Sequence, residues 1–219
     1  MGILKKLFGR FGIKSATPNA DYWNTKYDTD DFIYTTIANR FVVEYLEALP
    51  AGTMIDLAGG EGRNAVWFAE RGWKAEVVDF ADKAVAKFLK FAQERSVSDR
   101  CVGTVADATD FKAKLAPADL GVVGYLQVPQ ATLAKAITNL VGQLKPGATL
   151  FGVWHARENL AGGYGGPQDP AVLPTVESLT QILSQLPVTI ETIENRDGQV
   201  QTREGLKPSI TVIAKAIVN

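Results

Sequence analysis

The 219-residue sequence predicts an α/β fold: a parallel β-sheet flanked by helices and completed by an antiparallel strand pair at the carboxyl terminus. Three observations predict it. From residue 34 onward, short apolar runs alternate with stretches of helical period. Gly59, Gly60 and Gly62 follow the first apolar run and open a helical stretch, where strand, tight turn and helix meet in parallel sheets. The last two extended runs have no helical stretch between them, which makes them an antiparallel pair.

Each element has its own signal. Residues 34–49 place Ile37, Phe41, Tyr45 and Leu49 on one helical face and stop at Pro50. Residues 53–58 form a short apolar strand, and the helix over 63–71 is closed by Gly72. A strand over 73–80 contains Asp79 near its end. The helix over 81–95 turns Val85, Phe88 and Ala92 inward, and the strand over 101–106 runs into Asp107. A strand over 119–124 follows Pro117. The helix over 131–144 holds Leu133, Ile137, Leu140 and Leu144 in register until Pro146 and Gly147, and a fifth strand covers 148–154. A helix over 175–186 then precedes extended runs at 188–194 and 209–218, separated by the polar stretch 195–208. The Gly/Pro-rich segment 161–174 is a long loop just past a strand end, a position more often functional than idle.

Composition narrows the function. Hydrophobic residues make up 46% and charged residues 21%, which suits a globular domain and excludes wholesale disorder. One Cys excludes a disulfide framework, and one Cys with one His excludes the common zinc sites, so no metal is expected. The net charge is −1, which argues against nucleic acid as partner. That balance is uneven. Lys5, Lys6, Arg10 and Lys14 give residues 1–14 a charge of +4, and the remainder carries −5. Residues 1–16 therefore read as a basic amphipathic appendage, and residues 17–219 as a single domain. Residues 1–14 could make peripheral contact with an anionic membrane, but a helix packed on the body or on a partner subunit, or a frayed end, is the more common outcome for such a segment. They lack the uninterrupted apolar core of a signal peptide, so a cytoplasmic location is expected.

The stretch from Met54 to Asn64 carries the chemistry, and two cofactor classes use such a turn. Read as a dinucleotide fingerprint, Gly60 to Ala65 is G-x-G-x-x-A, with Asp79 placed to hold a ribose of NAD. That reading leaves Asp56 facing a pyrophosphate unfavourably and gives Asp107 no partner.

The other reading uses all three acids. Asp56-Leu-Ala-Gly-Gly-Glu-Gly62, Val77-Val-Asp79, Val105-Ala-Asp107 and Leu144-Lys-Pro-Gly147 resemble the class I S-adenosylmethionine (SAM)-dependent methyltransferases over nearly all of the body. Tyr22-Trp-Asn-Thr-Lys-Tyr27 and Gly60-Glu-Gly-Arg-Asn-Ala65 are similar to the small tellurite-resistance-like (TehB-like) branch, which is functionally mixed. The resemblance implies the seven-stranded, Rossmann-like methyltransferase fold with SAM as cofactor. It implies that Asp56 helps hold the cofactor's ammonium, Asp79 its ribose hydroxyls and Asp107 its adenine amino group. Ala58, Gly59, Gly60, Gly62, Asn64, Phe80 and Ala108 complete the expected cofactor-binding set. Carboxylates suit these roles because they bond strongly to ammonium groups and diols. Ala58 departs from the pattern, where Gly is usual. If the position needs positive φ, Ala costs about 1 kcal/mol there.

A methyl on sulfonium is already activated, so the protein mainly aligns donor and acceptor and excludes water. A general base is needed only for a protonated, poorly nucleophilic acceptor. Tyr125, Gln127 and His155, at the carboxyl ends of central strands, are the substrate-side candidates, with no base assigned. The expected function is methyl transfer to a small molecule enclosed by residues 161–174 and the aromatic segment Tyr22, Trp23, Tyr27, Phe32 and Tyr34. That aromatic segment reads equally as packing for the first helix. The alternatives are a non-enzymatic SAM-binding protein and an NAD-dependent oxidoreductase.

Overall fold

The structure is a computed structural model that describes residues 19–202 and 204–219. The appendage over residues 1–16, with its expected membrane contact, lies outside the described residues. In chain order the elements are α1 (Ala20–Tyr27), α2 (Arg40–Leu46), β1 (Thr53–Leu57), α3 (Arg63–Ala69), β2 (Lys74–Asp79), α4 (Asp82–Glu94), β3 (Cys101–Val105), β4 (Ala118–Gly124), α5 (Gln130–Val141), β5 (Leu144–His155), α6 (Asn159–Gly162), α7 (Val176–Leu183), β6 (Val188–Thr202) and β7 (Gly205–Val218).

The strands form one seven-stranded sheet in the order β3-β2-β1-β4-β5-β7-β6. Neighbours from β3 to β5 pair parallel, and β7 runs antiparallel between β5 and β6. The predicted α/β sheet with its antiparallel end is therefore the observed architecture. Apolar cores lie on its two faces. Phe41, Leu46, Phe68 and Phe88 pack on one, and Leu133, Ile137, Trp154 and Leu179 on the other. Chain order reverses between β1 and β4, and in such sheets ligands bind at the carboxyl edge beside that reversal.

Three elements depart from the sequence expectation. The helix expected over 34–49 begins only at Arg40, because the Asn39 side chain caps it by accepting from the Phe41 and Val42 amides. Ile37, assigned to a buried face by periodicity, is 74% exposed in the preceding irregular segment. The helix expected to reach Leu144 ends at Val141, and Leu144 instead opens β5, paired with Ala118. The polar stretch 195–208 is not a loop: β6 and β7 pair from Val188↔Val218 out to Thr202↔Gly205, with one register shift between Ile190 and Thr192. Hairpin pairing satisfies the backbone whatever the side chains' polarity, and this ribbon projects past the apolar sheet that set the expected limits.

Candidate active site

The glycine turn sits at the carboxyl end of β1, and its conformation explains its composition. Ala58, Gly60 and Gly62 have φ of 53°, 56° and 76°. The question of Ala58 is settled: it occupies the left-handed region where glycine is usual. At Gly62 a Cβ would lie 2.0 Å from Cδ2 of fully buried Phe88, so α4 packs directly on the turn's backbone. At Gly59 a Cβ would lie 3.0 Å from the Asp56 carboxyl carbon.

Asp56 is 1% exposed, and neither of its carboxylate oxygens has a hydrogen-bond partner. Burial pushes its carboxyl up to about 7, against the opposing pull of Arg63 and of the nearby Ala65 amide, which falls short of hydrogen-bond geometry. Asp79, at the end of the neighbouring strand, is also buried. Its two oxygens accept from the Gly60 and Ala81 amides, both at 2.9 Å. Burial raises its pKa, and those amides oppose the rise. One acid is thus satisfied and fixes the turn, whereas the other is buried without a partner.

Asp107 lies one strand farther out and is exposed. Its Oδ1 accepts from the Thr109 amide at 2.7 Å and the Thr109 hydroxyl at 2.6 Å, in an Asx-type turn. Phe80 packs beside Tyr27, Ala81 and Ala84, and Ala108 lies against the core that includes Phe111, Ala118 and Val123. Asn64 is buried, and its side-chain oxygen accepts from the Asn39 amide at 2.9 Å, tying the start of α2 to the turn.

Sequence reasoning missed the residue that ties the cover to this turn. Glu61 is 7% exposed and accepts from the Ile33 and Tyr34 amides. Its carboxylate pairs with Lys87 of α4 at 2.7 Å, and Lys87 also donates to the Asp31 carbonyl. The segment after α1 is thereby pinned over the glycines. Tyr27 is buried there, its hydroxyl 2.9 Å from where a Gly60 Cβ would stand. Burial first, and then Asp79, hold its phenol above the ordinary range. Trp23 stacks on Tyr27 with centroids 5.7 Å apart. The aromatic segment therefore does cover the turn, and a charged residue set among glycines was the available signal for Glu61.

A second group of residues gathers at the ends of β4 and β5. Tyr125 has φ 58°, a strained conformation for a bulky residue. Its hydroxyl accepts from the Asn39 side chain at 3.2 Å, and Arg63 lies over its ring at 5.7 Å. His155 lies 5.0 Å from that ring, centroid to centroid. Both ends of the Gln127 amide are engaged: Oε1 accepts from the His155 amide at 2.9 Å, and Nε2 donates to the Val172 carbonyl at 2.8 Å. Gln127 therefore braces the strand end against the 161–174 segment.

That segment is anchored by Asn159, a buried residue that periodicity could not single out. Its side chain donates to the Tyr164 and Gly165 carbonyls and accepts from the Ile210 amide of β7. Gly165 and Gly166 both have positive φ, and a Cβ at Gly166 would lie 2.7 Å from the His155 ring.

With this geometry in place, similarity to other proteins can be read. Residues 16–149, more than half of the chain, match the family of the tellurite resistance protein TehB. The chain belongs to the TehB family. No curated protein sequence matches it. Among solved structures, TehB from Haemophilus influenzae is similar over 91% of this chain and 67% of its own, with TM-score 0.67 at 14% identity. A SAM-dependent methyltransferase from Methanosarcina mazei is similar over 84% of this chain and 100% of its own, with TM-score 0.63 at 17% identity. Magnesium protoporphyrin IX methyltransferase from Synechocystis, solved with S-adenosylhomocysteine (SAH) bound, covers 82% of this chain and 80% of its own, with TM-score 0.62 at 18% identity. The seven-stranded methyltransferase fold expected from the sequence is thus the fold found. Among the described residues, no helix is long and apolar enough to cross a membrane.

Proposed function

We propose that this TehB-family chain binds SAM and transfers its methyl group to a small-molecule acceptor, with residues 17–219 acting as one catalytic domain. The observation that carries this reading is Asp56, a fully buried carboxylate with no partner beside a glycine turn already fixed by Asp79. A buried unpaired acid is costly, and a cationic ammonium seated at the turn removes that cost. The donor set fits SAM throughout. Asp56 takes the ammonium and Asp79 the ribose hydroxyls. Gly59, Gly60 and Gly62 let the ligand lie against the backbone, and Phe80, Asp107 and Ala108 line the adenine end. Thr109 orients Asp107 for that role. The bound cofactor supplies an activated methyl group. The protein's own task is to align the acceptor in line with it and exclude water, which suits the cover built from Tyr27, Trp23 and the Glu61 tether.

A small molecule is the acceptor class that suits the carboxyl edge of β4 and β5, where Gln127 braces the 161–174 segment. Structural relatives include methyltransferases of a porphyrin and of a glycopeptide, a range that leaves the particular acceptor to experiment. Calorimetry with SAM and NAD separately tests the cofactor. SAM binding supports the reading, and binding of NAD alone overturns it. Radiolabelled SAM added with the protein to fractionated small-molecule extract tests the reaction, with Asp79→Ala as control. Label in one fraction, lost in the variant, is the expected result. SAM binding without label in any fraction favours a non-enzymatic SAM-binding protein.

A further inference from the structure

His155 is the sole histidine of the chain, and its surroundings are specific. Its Nδ1 is buried and without a hydrogen-bond partner. On one side stands the Tyr125 ring, and on another the Gly165–Gly166 backbone packs so closely that a side chain at Gly166 has no room. Gln127 holds its backbone amide, and the same Gln127 ties down Val172. The Tyr125 ring and the Gly165–Gly166 backbone, both uncharged, thus pack against the imidazole. Among the described residues, burial is what lowers its pKa from the ordinary 6.5, which favours the uncharged ring.

The ring is also connected to the cofactor side. Asn64, at the glycine turn, accepts from the Asn39 amide. The Asn39 side chain donates to the Tyr125 hydroxyl, and Tyr125 lies against His155. Tyr125 holds a positive φ there, and backbone strain of this kind concentrates where a side chain must be aimed. An imidazole held between the Tyr125 ring and the Gly165–Gly166 backbone at the carboxyl end of β5, with its backbone amide fixed by Gln127, is placed to accept a proton.

Resting on the SAM-dependent reading above, we propose that His155 is the general base of methyl transfer and that the acceptor carries its nucleophile as a hydroxyl or thiol. The acceptor's oxygen or sulfur bonds to the methyl carbon as the carbon–sulfonium bond breaks. The sulfonium becomes a neutral thioether, and the acceptor's proton passes to the imidazole, which releases it to solvent when the product leaves. A carboxylate acceptor is already a nucleophile and has no use for such a base. Tyr125 is the surface on which the acceptor rests, and Gln127 and Asn159 are positioning residues that hold the strand end and the 161–174 segment around it.

Two measurements on the full chain test this. In the first, protein labelled with ¹⁵N-histidine is titrated by NMR with SAH bound. Because the chain holds one imidazole, the spectrum is unambiguous. A ring neutral at pH 7 and titrating below 6.5 is expected, and a ring charged at pH 7 overturns the proposal. In the second, transfer of labelled methyl to the acceptor-containing extract fraction is compared in wild type, His155→Gln and His155→Ala. Expected are a kcat about 100-fold lower in His155→Gln with SAH affinity retained, loss of the low-pH inflection of kcat, and partial rescue of His155→Ala by added imidazole. Equal rates in wild type and His155→Gln overturn the base assignment while leaving the methyltransferase reading intact. Failure of the wild type to bind SAH, or to label any fraction, overturns that reading and this one with it.

Discussion

The two halves of the carboxyl edge are built by different means. Around β1 and β2 the site is made of backbone: a turn with three consecutive requirements for positive φ or no side chain, fixed by one carboxylate, Asp79, that reaches across a single strand. Around β4 and β5 it is made of side chains that reach far along the chain. Asn39 meets Tyr125, Gln127 meets Val172, and Asn159 meets Ile210. The first half suits a ligand whose shape never changes. The second can be altered piece by piece without disturbing the turn. On the proposed function, the division makes cofactor binding and acceptor choice separable, because few local features are shared between the two halves. Asn64 and Arg63 are the joints, each touching both sides.

The largest expected effect comes from breaking the backbone half. Gly62→Ala puts a Cβ 2.0 Å from a Phe88 ring atom that is itself fully buried, at a φ of 76°. A loss of about 3 kcal/mol in folding stability, together with loss of SAH binding, is expected from thermal melts and calorimetry.

Gly166→Ala is the matching change in the other half, with its Cβ 2.7 Å from the His155 ring. It displaces the segment from the imidazole and costs about 2 kcal/mol in stability. Turnover falls while SAH affinity stays within about twofold. Equal losses of both would erase the distinction between the halves.

Asp56 sharpens the comparison through pH. Its folded pKa of about 7 stands above the ordinary 3.8. Its contribution to stability of the unliganded protein is therefore fully present below the unfolded value and is lost as pH rises through about 7. A bound ammonium favours the ionised carboxylate, so the trend in ligand affinity is the reverse. SAH binding should tighten by up to about tenfold per pH unit on approaching neutrality and level off above it. Calorimetry in buffers of different ionisation enthalpy should detect the proton released. Asp56→Asn should flatten the profile.

Ala58→Gly is the smallest effect and the one that improves the turn. Relieving a φ of 53° at a non-glycine residue should stabilise the fold by about 1 kcal/mol, read as a raised melting temperature.

What the sequence carried and what it hid divide along the same line. The strands over 53–57, 74–79 and 101–105, the glycine turn, and Asp56, Asp79 and Asp107 at successive strand ends were legible, because each is encoded within a few residues by apolar period, turn chemistry or an acid at a strand's end. The irregular segment before α2 was misread because Ile37, Phe41 and Tyr45 keep a helical period. A cap at Asn39 and a tether to Glu61 decide the backbone instead. The outer ribbon was misread because its polarity resembles a loop, and only strand pairing reveals it. For the candidate site, type and place were readable for the acids and for His155. The roles of Glu61, Asn39 and Asn159 in joining separate elements were not, because the partners they join lie 25 or more residues away.

By itself the sequence determined the α/β class, the order of its elements and the turn that would receive a ligand, since these follow from local pattern and backbone sterics. The tertiary structure alone decided which buried acid keeps a partner and which does not. It also decided that Tyr27 lies over the glycines and that the lone histidine is packed between a strained tyrosine and a glycine pair. Burial and hydrogen-bond satisfaction are set by the whole surroundings of an atom, and no short stretch of chain contains them.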